Sequence, residues 1–65
     1  MMLAILYKGG RLKIFKNIYA LNIDGGSLVY TASMDGKYCY TDPLAEVLKV
    51  SVNGIIYYDD GKVKL

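Results

Sequence analysis

The side chains of this chain best suited to hold a ligand are cations and tyrosines, and they gather in two places. Toward the C-terminal end, Lys49, Tyr58, Lys62 and Lys64 can share one face of a hairpin, with Ile56 beside them. A ring flanked by ammonium groups on an exposed sheet is the equipment of a single-stranded nucleic-acid binder: the ring stacks a base and the lysines hold phosphate. The same face suits a protein partner, and cross-strand Tyr–Lys pairs also stabilise a sheet without binding anything. Near the start, Lys8, Arg11, Lys13 and Lys16 form a second group. Arg11 and Lys13 share a face at strand spacing, with Leu12 and Ile14 on the opposite one. Beside the C-terminal hairpin they would complete a phosphate-tracking stripe. By themselves they make a solvated strand face whose charge discourages edge-to-edge aggregation.

Covalent and acid–base chemistry has little to work with. There is no histidine, so Ser27, Ser33, Ser51 and Cys39 lack the usual base that would activate them. The aspartates Asp24, Asp35, Asp59 and Asp60 each sit at a turn, where an Asx side chain has sufficient work, and their spacing matches no calcium loop. Lys8-Gly9-Gly10-Arg11 lacks the strand–loop–helix setting of a phosphate cradle. The single cysteine, Cys39, excludes an internal disulfide and reads as a small half-buried strand residue. These features point away from an enzyme, a cofactor, a metal or a small-molecule substrate.

The elements that must position the cations are set by turns. All seven glycines fall in turn signals: Gly9-Gly10, Gly25-Gly26, Asp35-Gly36, Asn53-Gly54 and Asp60-Gly61. Such pairs tolerate the positive φ that hairpins demand. A two-residue turn at Gly25-Gly26 sets Ile23 against Leu28, Leu21 against Tyr30 and Tyr19 against Ala32, all on one face. A three-residue loop at Met34-Asp35-Gly36 continues that face with Ala32 against Tyr38 and Tyr30 against Tyr40. Asn53-Gly54 pairs Val52 with Ile55 and Val50 with Tyr57. A three-residue loop at Asp59-Asp60-Gly61 then pairs Tyr57 with Val63 and Ile55 with Leu65. In that register Tyr57 faces inward, and Lys49, Ser51, Ile56, Tyr58, Lys62 and Lys64 face outward.

Between Phe15 and Ile18 the alternation slips, which predicts a bulge or bend near Lys16-Asn17. Asp42-Pro43 reads as an N-cap and first helical position, with Leu44, Val47 and Leu48 on one side of a short turn.

The expected fold is therefore all-β: a single domain over residues 1–65 with six to seven short antiparallel strands. It forms a small bent sheet or a partly open SH3-like barrel, with one helical turn near 43–48. Hydrophobic residues make up 54% of the chain, much for so short a polypeptide, so part of that surface is expected to be covered by a partner or by a second copy. The net charge of +2 falls short of a nucleic-acid-binding signature on its own. Met1–Tyr7 is too short an apolar run to span a bilayer, and a cytoplasmic location without membrane attachment is expected. The expected function is a non-enzymatic binding module for protein interaction or assembly, self-association included, through Lys49, Ile56, Tyr58, Lys62 and Lys64. The alternative is a small nucleic-acid-binding barrel using Arg11, Lys13, Lys49, Tyr58, Lys62 and Lys64.

Overall fold

Reversals at the glycine pairs divide the chain into β1 (Leu3–Tyr7), β2 (Leu12–Phe15), β3 (Ala20–Asp24), β4 (Ser27–Thr31), β5 (Cys39–Pro43), β6 (Val47–Val52), β7 (Ile55–Asp59) and β8 (Lys62–Val63). The computed structural model describes residues 1–64. Its strands pair antiparallel in two sheets, one ordered β2-β1-β6-β7-β8 and the other β3-β4-β5. Neither closes into a barrel. Expectation and structure agree on a small, open, all-β architecture; the strand count among the described residues is eight rather than six to seven.

Side-chain alternation explains how the sheets meet. Leu3, Ile5 and Tyr7 on β1, Val47 and Val50 on β6 and Tyr58 on β7 point inward from the larger sheet. Leu28 and Tyr30 of β4 point inward from the smaller one, and Ile18 closes the gap from the connecting segment. All are buried. The chain crosses between sheets twice. At residues 16–19 it leaves β2 and enters β3 after Ile18 has turned inward, which is the slip seen in the alternation. It returns through a 3-10 turn over Leu44–Glu46.

That turn is shorter than the expected 43–48, and Asp42 does not cap it. Pro43 stands at its N-terminal boundary with extended backbone (φ −64°, ψ 129°) and no side-chain capping bond is made. The Leu44 N–H instead donates to the Gly26 carbonyl at 2.8 Å, anchoring the crossing to the β3–β4 turn.

The smaller sheet has the register its turns predict: Ile23 opposite Leu28, Leu21 opposite Tyr30, and Tyr30 opposite Tyr40. The loop after β4 is held by Asp35, whose carboxylate accepts from the Lys37 N–H at 2.9 Å and the Ser33 hydroxyl at 2.8 Å. Those bonds hold the Asp35 carboxyl below its usual range. Burial is less complete than the alternation suggests. Tyr19, Tyr38 and Tyr40 are exposed, the first two beyond strand ends and the third on the edge strand β5. Cys39, expected to be half-buried, is exposed as well.

The larger sheet departs from the expected register in one place. Val52 opposes Ile55 and Ser51 opposes Ile56, as the Asn53-Gly54 turn dictates, but Val50 then opposes Tyr58. Tyr57 is the extra residue of a β-bulge. A second bulge, at Leu48, interrupts the β1–β6 ladder between Leu6 and Tyr7. Two bulges on neighbouring ladders of β6 add local twist and coil the sheet over the core.

Candidate functional site

A one-residue slip relocates the expected site. Tyr58, expected between two lysines on the outer face, points into the core at 6% exposure. Asp59 takes its place: it lies opposite Lys49 on one side and Lys62 on the other. The cause is the pair of turns flanking β7. Asp60 (φ +44°) and Gly61 (φ +89°) make a two-residue reversal, which pairs Asp59 with Lys62 and Tyr58 with Val63. The three-residue loop read from the sequence would have paired Tyr57 with Val63. Its other pairing, Ile55 with Leu65, lies outside the described residues. Ile56, Lys49 and Lys62 do share the outer face, while Lys64 continues past β8 with its N–H donating to the Tyr57 carbonyl at 2.8 Å. A carboxylate between the lysines removes the stacking ring that a nucleic-acid surface needs there and cuts its positive charge.

Arg11 and Lys13 do not join that face. The loop Lys8-Gly9-Gly10 pairs Tyr7 with Arg11, the Tyr7 N–H donating to the Arg11 carbonyl at 2.8 Å, and Lys13 opposes the buried Ile5. Both cations therefore sit on the core side of β2 and cover the Tyr7 ring, with Arg11 Cζ at 4.6 Å and Lys13 Nζ at 5.5 Å from its centroid. Arg11 and Lys13 lie on the opposite side of the sheet from Lys49 and Lys62, so these four cations form no single stripe.

Turning Arg11 and Lys13 inward turns Leu12 and Ile14 outward. They are 55% and 58% exposed, on a strand that stands at the edge of the sheet among the described residues. Two rows run across the outer face. Ile14, Ala4, Ser51 and Ile56 form one; Leu12, Leu6, Lys49, Asp59 and Lys62 form the other. The result is an aliphatic patch on β2 and β1, with charge confined to the β6–β8 side. The sequence places Leu12 and Ile14 on the face of β2 opposite Arg11 and Lys13, and the structure makes that face the exposed one. The Gly9-Gly10 loop held the missing signal, because pairing Tyr7 with Arg11 commits the odd-numbered residues of β2 to the core.

Between the sheets lies a polar–aromatic tie. The Asp42 carboxylate, half-buried on β5, accepts from the Tyr7 hydroxyl at 2.8 Å and the Tyr30 hydroxyl at 2.5 Å. Phe15 packs against Tyr30 and Tyr40 with centroids 5.2 and 5.7 Å apart, joining β2 to the smaller sheet. Burial, then the hydrogen bond to Asp42 and its negative charge, push both hydroxyls above the ordinary tyrosine value of 10.0. Raised folded-state values mean that the stabilisation is fully present below pH 10 and drains away as pH climbs above it. Alkaline titration of the fold, followed by circular dichroism, should show stability falling above pH 10. The Tyr30→Phe variant, less stable at neutral pH, should lose less over the same interval.

Elsewhere, an open groove of about 360 Å³ is lined by Met1, Leu21, Val52, Asn53, Ile55 and Tyr57. Its amide, Asn53, already accepts the Met2 N–H at 2.8 Å. Among the described residues no helix is long and apolar enough to cross a membrane. No protein-family model, curated protein or solved structure matches this chain.

Proposed function

We propose that this protein is a non-enzymatic binding module that engages another protein through the outer face of its five-stranded sheet. The observation that carries this reading is the exposure of Leu12 and Ile14 on the edge strand β2, continued by Leu6 and Ile56 across the same face. Aliphatic side chains on an exposed sheet face offer area for a protein contact, whereas single-stranded nucleic acid favours aromatic rings as stacking surfaces. A nucleic-acid reading would now rest on Arg11, Lys13 and the exposed ring of Tyr40, without Tyr58, Lys49, Lys62 or Lys64. Its mark would be affinity that falls steeply with salt.

The double variant Leu12→Ser, Ile14→Ser tests the protein-binding reading. Both positions are exposed, so folding stability should change by less than about 1 kcal/mol. Capture of a specific partner, scored against the native chain under the same conditions, should fall by at least about tenfold. Undiminished capture by a folded variant would place the contact elsewhere.

A further inference from the structure

We infer that the free edge of β2 receives an extended segment of the partner protein, adding as a sixth strand, and that this segment alternates acidic with apolar residues. The inference rests on the protein-binding reading above and names its mode and its partner's chemistry. Backbone geometry supplies the first argument. In an antiparallel ladder, alternate residues direct their N–H and C=O to the neighbouring strand. The Tyr7–Arg11 bond fixes that phase: Arg11, Lys13 and Phe15 face β1 along the backbone. Leu12 and Ile14 therefore aim their N–H and C=O groups outward from the sheet, where none of the described residues forms a strand beyond β2. A strand laid there gains main-chain hydrogen bonds and an aliphatic row together.

The other three edges are less receptive. β8 is two residues long. β5 ends in Pro43, which has no N–H to give. β3 exposes only Ala20, Asn22 and Asp24 on its outer face, and its aliphatic residues Leu21 and Ile23 are packed against the core.

Charge selects the occupant. Arg11, Lys13 and Lys16 alternate with or flank Leu12 and Ile14, and no acid lies between Lys8 and Lys16. Residues directly opposite one another point to the same side, which limits how a second copy could pair with β2. Antiparallel pairing of Leu12 with Ile14 sets Lys13 against Lys13; shifting to Ile14 against Ile14 sets Leu12 against Lys16. Either register sacrifices charge or apolar contact. A partner strand with Asp or Glu opposite Lys13 and aliphatic residues opposite Leu12 and Ile14 meets both needs at once.

The test uses two terminally blocked synthetic peptides, one alternating valine with glutamate and one alternating valine with lysine, titrated into the full chain and followed by amide NMR. The glutamate peptide should bind roughly tenfold more tightly than the lysine peptide and slow exchange of the Leu12 and Ile14 amides. Lys13→Glu should reverse the preference. Lys13→Gln, which keeps most of the stem over Tyr7, should largely erase it and guards against a folding defect in the charge reversal. Equal affinities for the two peptides, or protection at amides other than those of β2, would overturn the inference. So would binding of a single-stranded oligonucleotide at β2 where neither peptide binds. If no peptide binds while Leu12→Ser, Ile14→Ser still abolishes partner capture, strand addition fails and the binding surface stands. If that variant also keeps its partner, both readings fail.

Discussion

Replacing Tyr58 by Ala is expected to cost about 3–5 kcal/mol, the usual range for removing a buried aromatic ring. A chain of this length has roughly 3–10 kcal/mol of total stability, so the variant should be largely unfolded or close to it at 25 °C. Tyr57→Ala, at the bulge, should cost substantially less because that ring is only partly buried. The contrast matters more than either value: it depends on the slip between Val50 and Ser51, which sends Tyr58 inward and leaves Asp59 between the lysines. Urea denaturation of the two variants measures it. The reverse order, with Tyr57 the costlier loss, would restore the unbulged register and return Tyr58 to the outer face.

Removal of the Asp42 carboxylate should be the next largest loss. Asp42→Ala takes away the acceptor of both the Tyr7 and Tyr30 hydroxyls. Hydrogen bonds to a charged group contribute about 1.5–3 kcal/mol each, and two that share one carboxylate are less than additive, so about 2–4 kcal/mol is expected. Asp42→Asn keeps an oxygen acceptor and should lose about half as much. In a double-mutant cycle, Asp42→Ala and Tyr30→Phe should couple by about 1–2 kcal/mol, since each removes the same bond. A change below about 0.5 kcal/mol for Asp42→Ala would mean that the tie contributes nothing to holding the sheets together. Substitution at Asp42 should also leave peptide binding by β2 intact wherever the fold survives, which separates the inter-sheet tie from the proposed contact edge.

Much of the smaller sheet was readable because Gly25-Gly26 and the loop ending in Gly36 each permit one reversal that keeps oily residues together, and both registers follow from them. The larger sheet was harder for identifiable reasons. Ile55-Ile56-Tyr57-Tyr58 is apolar at every position, so alternation cannot say which residues point inward, and Asp59-Asp60-Gly61 fits either a two- or a three-residue reversal. Placing the bulge requires knowing that the sheet must coil over the core, a tertiary demand. Asp42 before Pro43 reads as a helix cap by local rules. Its acceptor role appears only when Tyr7, distant in sequence, is brought to it by the second sheet. The outward placement of Leu12 and Ile14 is not legible in the sequence, because Arg11 and Lys13 look like residues bound for water. Their long apolar stems and the Tyr7 ring let them lie on the core side instead.

The binding surface depends on β2 being an open, unpaired edge with its odd-numbered residues bonded to β1. Residue-resolved amide hydrogen exchange of the protein by itself reports this directly. The amides of Lys13 and Phe15 should exchange slowly, held by β1, while those of Leu12 and Ile14 should exchange near the rate of an open chain. Slow exchange at Leu12 and Ile14 matching that of Lys13 would show the edge already covered in the free protein and would contradict the proposed docking strand.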